Sequence, residues 1–496
     1  MERFPYTTPE ACGISSSALE KMIRKFDRYG FAMHSMMMSR GGKVFLDVHW
    51  APFHNETHHR MNSVTKSFVG IAIGLLEEDG KLKLTDRVMD YFSDYDREDL
   101  DDYTKRLTVY DLLTMRTSMV NAGVHWVRDR INDRMEYYFS KTAQRPPQTI
   151  FHYDSTAAFF LCVIVEKLTG KSLTEFLMDR LLRELGFSEK TDCILGPDGY
   201  SWGDSGLLCR QRDLHAFARF LMDGGVWKGK RLMNAEFIRR ATSKLSDSNE
   251  SGSGFYGAHG YGYQIWQCFD GSFAFFGMGD QLVICHPKTD TIFVCTADNQ
   301  GSTASRPVIV DTLFSDILSE LSDTPLPENR EAQQSLADYT KNLKLVSLQG
   351  AAKTSMTSVV NGVTYDMNPN PMKWKWFRLD FAGEQGSLTY ENARGVKTLP
   401  FAINANCLTE FPEEGYPDMQ MNVPCPDNRF PCASSAAWLE EGQLALRVQM
   451  TGKHLGGLFM KLGFTQNGEE VGVRMVKNTN CFLDGYDGYA GGRKRS

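Results

Sequence analysis

Ser63 and Lys66 stand three residues apart, at the start of a stretch whose apolar spacing predicts a helix. Residues three apart on a helix project from the same face, about one turn from each other. A serine hydroxyl is a weak nucleophile until a base takes its proton, and a lysine can act as that base where its surroundings favour the neutral amine. The pair therefore predicts nucleophilic chemistry at Ser63. The plainer alternative is a serine near a helix start, followed by a solvated lysine.

Four further segments follow this pair along the chain, and their order and spacing narrow the interpretation. They are GKLKLTDRV at 80–88, LTVYDLLTMRTS at 107–118, FHYDS at 151–155 and EKLTGKSL at 166–173. In this order they resemble the sequences of class C β-lactamases, penicillin-binding proteins and their esterase and amidase relatives. The resemblance extends over about residues 10–320 and implies a serine hydrolase that acts through Ser63.

Tyr153 and Ser155 match the Y-x-N or Y-x-S motif of that family. The resemblance places Tyr153 beside Ser63 and Lys66, where a phenol near an ammonium can share or shuttle a proton. Ser155 is then expected to orient groups in the site. A tyrosine that only packs ahead of the next helix is the alternative.

The third family motif, usually K-T-G or H-x-G, has no clean copy here. The best match is Gly277-Met278-Gly279, which resembles the G-x-G variant of members that act on esters and amides. The backbone N–H groups of Ser63 and Met278 would then form an oxyanion hole, the donor pair that a tetrahedral intermediate requires. An ordinary hairpin edge is the competing interpretation.

This departure bears on the substrate, because the family's Lys or His at that motif helps to bind carboxylates. Here neutral Phe276 or Met278 stands in its place, which disfavours a β-lactam substrate, unless an arginine elsewhere binds the carboxylate. Two alternatives stay open. One is a β-lactamase or D-alanyl carboxypeptidase, and the other is a penicillin-binding-like sensor that is acylated without turnover.

Two other motifs are weighed and set aside. Ser201 lies in a G-x-S-x-G pattern, but the strand and helix of a nucleophile elbow are missing around it, so a structural serine is expected. His54, His58 and His59 lie close together without the further ligands of a metal site, and a solvated loop is expected there. We predict neither a metal nor an organic cofactor.

The elements that must position these residues follow from apolar periodicity and turn signals. A hairpin is expected at 35–50 and a helix at 63–78, and the polar stretch 322–329 reads as a linker. Further helices are predicted at 109–115, 157–168, 173–185, 213–222 and 308–321, and strands at 261–266, 272–276, 281–285 and 291–296. The predicted fold is α+β: a β-lactamase/transpeptidase-like domain at 1–325, in which helices flank an antiparallel sheet, and a β-rich domain at 331–496.

Composition limits the partners. The 496 residues carry a net charge of −6 without a dominant basic stripe, so a nucleic-acid partner is not expected. We predict no leader and no membrane span, and we read the scattered cysteines, 11 in number, as reduced thiols of a cytoplasmic protein. Cys425 and Cys432 could pair or hold a metal, although buried thiols are the simpler interpretation. The expected ligand is a small ester, amide or peptide, and the sequence leaves the oligomeric state open.

Overall fold

The computed structural model describes residues 4–96, 98–119, 134–196, 198–249, 257–414, 428–479, 483 and 485–496. The chain divides into two compact units, one that contains most of the chain up to Lys344 and one that contains most of the chain from Leu345. Each unit has its own cluster of buried apolar side chains.

The described α-helices are, in chain order, α1 (Ser16–Arg28), α2 (Thr65–Glu78), α3 (Asp102–Arg106), α4 (Val109–Leu113), α5 (Arg134–Phe139), α6 (Ser155–Thr169), α7 (Leu173–Leu177), α8 (Gln211–Met222), α9 (Ala235–Ala241), α10 (Ser305–Thr312), α11 (Arg330–Thr340) and α12 (Ser355–Val360). The strands of the first unit are β1 (Met33–Arg40), β2 (Lys43–His49), β3 (His59–Arg60), β4 (Asp192–Cys193), β5 (Leu207–Cys209), β6 (Val226–Trp227), β7 (Lys230–Arg231), β8 (Trp266–Gln267), β9 (Phe273–Gly277), β10 (Gln281–His286) and β11 (Thr291–Ala297). Those of the second are β12 (Thr364–Met367), β13 (Trp376–Ala382), β14 (Gln385–Asn392), β15 (Gly395–Ile403), β16 (Cys407–Glu410), β17 (Pro431–Glu440), β18 (Gln443–Met450), β19 (Gly457–Phe464), β20 (Glu470–Asn478) and β21 (Gly488–Lys494).

The first unit is built on an antiparallel sheet with the strand order β2-β1-β11-β10-β9-β8. Its inner strands β9, β10 and β11 are buried at every residue, as expected of strands covered on both faces. Helix α8 packs against β1, β10 and β11. This is the predicted antiparallel sheet flanked by helices.

Helix α2 is the central helix of the first unit, because every residue from Thr65 to Leu76 is buried. It packs against α6 and α7. Gly74 permits a close approach on another side, where an added Cβ would lie 2.2 Å from the Met233 side chain. Helix α6 is capped by Asp154 at its start and by Gly170, with φ 65°, at its end. The helix that carries the Ser63 segment is therefore fixed from several sides.

The second unit is the predicted β-rich domain, and its sheet closes on itself. The strands follow the order β15-β14-β13-β12-β21-β20-β19-β18-β17. The first and last of them, β15 and β17, also pair with each other in parallel, Ala402 with Ser435 and Ile403 with Ala436. These nine strands form a barrel, and β16 is added beside β17. Inward-facing Trp, Tyr, Phe, Leu and Met side chains fill its core.

Several elements differ from the sequence expectation. The helix predicted at 173–185 is an α-helix only to Leu177 and continues as a π-helix over Met178–Leu182. A strand was predicted at 261–266, but the structure has only the two-residue strand β8 at Trp266–Gln267. Tyr261 lies outside it and forms isolated bridges to Ser246 and Trp266. The predicted linker precedes α11, and the division between the units lies beyond that helix, at Lys344–Leu345, rather than at 325–331.

The division lies later because α11 packs on α1. Gln333 Nε2 donates to the Glu10 carboxylate at 2.8 Å, Tyr339 Oη donates to Asp27, and the Arg24 guanidinium lies 3.7 Å from the Tyr339 ring centroid. Leu336 adds a buried apolar side chain to the same core.

Three sequence expectations concern membranes and thiols. Within the described parts of the chain, no helix combines the length and the apolar character that a bilayer crossing requires. No disulfide joins the cysteines of the described ranges. Cys425 lies outside those ranges, whereas Cys432 is a buried thiol in β17.

Candidate active site

Ser63 lies in a short 3-10 helix, Asn62–Val64, that leads directly into α2. Strand β3, just before it, pairs with β5, and the Met61 N–H donates to the Leu207 carbonyl at 2.8 Å. Asn62 has φ 47°, a left-handed conformation that non-glycine residues rarely adopt and that often marks a functional turn. The segment that presents Ser63 is thus held between a strand and a buried helix, with a strained residue immediately before the serine.

Lys66 is directed at Ser63. Its Nζ atom lies 2.9 Å from Ser63 Oγ and 2.8 Å from the Asp204 carbonyl oxygen, to which it donates. The Asp204 carboxylate lies 3.9 Å from Nζ, and both side chains are buried, with 1% and 2% of their surfaces exposed. Ser63 itself is only partly buried. A buried lysine is therefore held by one aspartate while it faces an accessible hydroxyl.

Tyr153 lies beside this pair, as the sequence predicted. The Tyr153 ring centroid is 5.2 Å from Lys66 Nζ. The ring stacks on Trp266 at 5.1 Å and meets Tyr261 edge to face at 6.3 Å. The following residue, Asp154, accepts the Thr156 N–H at 2.9 Å and so fixes the chain where it enters α6. The entry into α6 and the Trp266 ring of β8 therefore hold the Tyr153 ring near Lys66.

The Gly277-Met278-Gly279 turn lies next to the residues that precede Ser63, at the end of β9. Asn62 Nδ2 donates to the Met278 carbonyl at 2.8 Å, which ties the turn to the residue that precedes Ser63. A Cβ on Gly277 would lie only 2.4 Å from the Met61 carbonyl oxygen, so glycine is required for this approach. The structure therefore brings together the Ser63 segment and the predicted G-x-G turn.

Ser155 is the first residue of α6 and lies two residues after Tyr153. It is partly exposed, and among the described hydrogen bonds none joins its side chain to Ser63 or Lys66. Its predicted orienting role stays a prediction.

Ser201, the rival nucleophile, is fully buried. Its N–H donates to the Glu166 carboxylate at 3.3 Å, and burial raises the pKa of that carboxyl group. Among the described residues that precede it, none lies in a parallel strand: β4 pairs antiparallel with β5, and Leu195 and Ser201 form an isolated antiparallel bridge. A substrate cannot reach its hydroxyl without a rearrangement of this segment.

The histidine segment is not wholly a solvated loop, which corrects the sequence expectation for His59. His59 lies in β3 and is buried, with its ring 5.4 Å from that of His34 and 5.3 Å from that of Phe53. Burial lowers the pKa of His59 to about 3. In the part of the chain that the structure describes, no group of three His, Cys, Asp or Glu side chains is placed to bind a metal ion.

Asp204 is the site residue that sequence reasoning missed. Chain distance hides it, because 138 residues separate it from Lys66. The pairing of β3 with β5, both very short strands, brings the two segments together, and the Leu207 N–H adds a hydrogen bond to the Thr65 hydroxyl at 3.1 Å. Its position three residues before β5, directly after the G-x-S-x-G pattern, is the one local signal that the sequence offers.

Comparison with known proteins adds an independent observation. The family profile described as Beta-lactamase matches residues 19–311, which include Ser63, Lys66, Tyr153 and the G-x-G turn. The 6-aminohexanoate-dimer hydrolase of Paenarthrobacter ureafaciens is 26% identical over 281 residues, which cover 52% of this chain and 71% of that protein.

Solved structures share the fold. A Bacillus anthracis protein provisionally assigned as a 6-aminohexanoate-dimer hydrolase superposes with a TM-score of 0.55 at 18% identity, over 66% of this chain and 89% of that chain. A penicillin-binding protein homologue from Caulobacter crescentus gives a TM-score of 0.50 at 15% identity, over 62% and 97% of the two chains.

Proposed function

This chain belongs to the beta-lactamase family of serine hydrolases, and from that premise we propose that it cleaves an ester or amide bond through an acyl-enzyme on Ser63. The observation that carries the proposal is the 2.9 Å contact between Lys66 Nζ and Ser63 Oγ, with Lys66 buried against Asp204. A lysine held in this way is directed at one hydroxyl and at no bulk water.

In the proposed reaction Ser63 Oγ attacks the substrate carbonyl carbon while its proton passes to Lys66 Nζ, which acts as the base. The N–H groups of Ser63 and Met278 stabilise the oxyanion. When the bond to the leaving group breaks, the leaving oxygen or nitrogen takes a proton through Lys66 and Tyr153. Water then attacks the acyl-enzyme by the same route, which releases the acid and restores Ser63.

Asp204 supports the lysine in this scheme. A cation buried without a partner is strongly disfavoured, and the Asp204 carbonyl and carboxylate both face Lys66 Nζ. The aspartate therefore stabilises the ammonium that forms when Ser63 loses its proton. It touches neither the substrate nor Ser63 in this scheme, so we assign it a positioning role.

The proposed substrate is a small ester or amide, including peptide-like amides. On the sequence resemblance, neutral Phe276 or Met278 replaces the cationic residue with which the family binds carboxylates. The Paenarthrobacter ureafaciens relative is named for a dimer of 6-aminohexanoate, and amino acids joined in a dimer are linked by an amide bond. That name favours amides among the candidate substrates.

The test follows covalent labelling of the whole protein by mass spectrometry, with hydrolysis of a p-nitrophenyl acyl ester measured in parallel. Wild type, Ser63→Ala and Lys66→Ala are each exposed to a fluorophosphonate and, separately, to a penicillin. We expect the phosphonate adduct and ester turnover to disappear in Ser63→Ala. In Lys66→Ala we expect turnover to fall by at least about 10³-fold, since the base and the nucleophile act as one unit.

Ser201→Ala is the matched control, because it removes a hydroxyl that lies buried elsewhere in the same domain. It should keep both the label and the turnover. Labelling that persists in Ser63→Ala would contradict the proposal. A penicillin adduct that is hydrolysed would favour a β-lactamase or D-alanyl carboxypeptidase, and one that lasts without any ester turnover would favour a sensor.

A further inference from the structure

We propose that Arg306 is a positioning residue for the reaction at Ser63, because its guanidinium fixes and polarises the peptide unit that carries the Met278 N–H. This inference rests on the proposed function, in which that N–H stabilises the oxyanion. Arg306 is 243 residues away from Ser63 in the chain and belongs to none of the motifs that the sequence singled out.

The contacts of Arg306 converge on the turn between β9 and β10. From the start of α10, its Nη2 atom donates to the Gly277 carbonyl at 2.8 Å. Its Nε atom donates to the Asp280 carboxylate at 3.3 Å, and the guanidinium carbon lies 5.5 Å from the Phe276 ring centroid. The arginine therefore contacts the residue before and the residue after Met278 and Gly279.

The geometry of a peptide unit connects this contact to the site. The Gly277 carbonyl and the Met278 N–H belong to one planar unit, and in a trans peptide they point in opposite directions. A donor fixed on the carbonyl oxygen therefore fixes the direction of the N–H. Because the donor is a cation, it also draws electron density from the amide, and this makes the N–H a stronger donor.

Ser63, the other proposed donor, is fixed in a comparable way. The Ser63 N–H shares its peptide unit with the Asn62 carbonyl, and that oxygen accepts the Thr65 hydroxyl at 2.7 Å. The Asn62 side chain in turn donates to the Met278 carbonyl at 2.8 Å. Both donor peptides are thus held through their own carbonyl oxygens, and Asn62 links the two segments.

Asp280 holds the arginine in place. Its side chain is buried, and its second carboxylate oxygen accepts Asn299 Nδ2 at 3.1 Å. Asn299 is itself fixed, because its Oδ1 accepts the Ala32 N–H at 2.7 Å and its own N–H donates to the Gly279 carbonyl at 3.1 Å. Gln281 Nε2 adds a 3.2 Å contact to the Met278 carbonyl. A turn held at so many points by side chains is preorganised, as an oxyanion donor needs to be.

Two other roles for Arg306 make different predictions. An arginine that binds a substrate carboxylate would change KM for anionic substrates and leave neutral ones unaffected. A purely structural arginine would change the melting temperature and the amount of folded enzyme, but not the preference for an oxygen over a sulfur in the reacting group. A positioning residue for the oxyanion donor should lower kcat for neutral substrates and weaken that preference.

The experiment compares Arg306→Gln and Arg306→Lys with the wild type, using a neutral p-nitrophenyl acyl ester and the thionoester with the same acyl group. In the thionoester the developing charge lies on sulfur, which accepts hydrogen bonds weakly. We expect Arg306→Gln to lower kcat on the ester by about 10- to 100-fold, less than the 10²- to 10³-fold cost of deleting one oxyanion donor. KM should change little. The ratio of kcat on the ester to kcat on the thionoester should decrease by about the same factor as kcat on the ester. Arg306→Lys should restore part of the lost kcat and part of the lost ratio.

Arg40→Gln is the matched control. Arg40 also donates to backbone carbonyls, those of Cys12 and Ser322, at a place where no proposed site residue lies. It should lower the melting temperature and leave kcat and the ester-to-thionoester ratio unchanged.

The inference is overturned if Arg306→Gln leaves the ratio at its wild-type value while Ser63→Ala abolishes turnover. It is also overturned if the variant raises KM only for a p-nitrophenyl ester with a terminal carboxylate, since that result assigns Arg306 to substrate binding. Turnover that persists in Ser63→Ala would instead overturn the proposed function itself, so the two failures are distinguishable.

Discussion

The contact between Lys66 and Asp204 shows how much of this site lies beyond the sequence. The Ser63–Lys66 pair could be predicted, because helix geometry alone fixes the relative position of residues three apart. The aspartate that faces the lysine could not, because it depends on how two short strands pair. Tyr153 was found through its motif, and its ring does lie beside Lys66. The reacting residues could therefore be predicted from short sequence motifs, whereas the residue that holds the lysine in place is brought there by the packing of distant segments.

His34 and His59 form a second residue-scale feature, in a buried stack with Phe53. The His34 ring lies 3.8 Å from that of Phe53 and 5.4 Å from that of His59. Both ring nitrogens of His34 are buried without a hydrogen-bond partner among the described residues. Burial lowers the pKa of His34 well below its usual range, and the neighbouring His59 lowers it further. The native protein therefore requires both rings to be neutral.

This stack should make the folded protein less stable as the pH is lowered. A histidine in the unfolded chain takes up a proton below about pH 6.5, and the folded protein does not until much lower pH. The stabilisation is thus complete above pH 6.5 and is lost as the pH falls toward 3, the pKa of folded His59. The free energy of unfolding is measured with denaturant at pH 7 and pH 5. We expect the wild type to lose about 2 kcal/mol more of it between these two pH values than His34→Phe loses.

The control for this prediction is His54→Phe, at a histidine that is exposed. His54→Phe should change the difference in unfolding free energy between pH 7 and pH 5 much less than His34→Phe does, because His54 acts on His59 only through its charge. An unaltered difference between pH 7 and pH 5 in His34→Phe would mean that the stack does not determine acid stability.

At the scale of elements, the distance between β9 and the Ser63 segment is the critical dimension. Gly277 ends β9 against the carbonyl of Met61, the residue that precedes the 3-10 helix, so the two backbones lie close together there. An added Cβ at 2.4 Å from a backbone oxygen can be accommodated only if one element moves.

Gly277→Ala should therefore reduce activity more than stability. A displacement of about 1 Å at a reacting centre can cost about 10²-fold in rate, and we expect a loss of that order in kcat/KM for ester hydrolysis, with a modest drop in melting temperature. Gly472→Ala is the control, because an added Cβ there meets nothing within 4 Å. Wild-type kcat/KM in Gly277→Ala would show that the strand has room to adjust without disturbing the site.

The accuracy of the sequence-predicted elements follows from the strength of their patterns. Helices α2 and α6 each contain a long apolar run and are followed by a turn that contains glycine, and the sequence located both within two residues. Helix α1 was missed although its signal is present: Ser15 caps it, and Leu19, Met22, Ile23 and Phe26 recur at helical spacing on its buried face. Tertiary contacts decided the others, such as β8, where bridges around Tyr261 replace a longer strand.

At the scale of the whole molecule, the sequence predicted two domains of the right classes, but their boundary depends on α11. Helix α11 follows the Pro-containing stretch that reads as a linker, and its few apolar residues gave no strong helical pattern. Only the packing of Leu336 and Tyr339 against the first unit reveals where it belongs. A linker predicted from composition marks a break in regular structure, which is not always the end of a domain.

Truncation tests this assignment. A chain that ends after Lys344 keeps α11, whereas one that ends after Pro325 or Leu326 removes it and exposes the surface of α1. Loss of the buried Leu336, the Tyr339 contacts and the Gln333 hydrogen bond should cost about 3 to 5 kcal/mol. We expect the shorter form to melt at a lower temperature and to be cut faster by protease. Equal melting temperatures would show that α11 does not stabilise the first unit.

The edges of the two sheets have one more consequence, which concerns other copies of the chain. In the first unit β2 is covered by residues 5–7, where the Thr7 N–H donates to the Val44 carbonyl and the Val44 N–H to the Pro5 carbonyl, and the opposite edge, β8, is only two residues long. In the second unit the pairing of β15 with β17 returns the sheet to itself. Exposed strand edges are the usual template for aggregation. Among the strands that the structure describes, these edges are therefore covered, short or closed, and the strand β16 at the end of the second sheet is only four residues long, so little of the described edge backbone could pair with a strand of a neighbouring molecule.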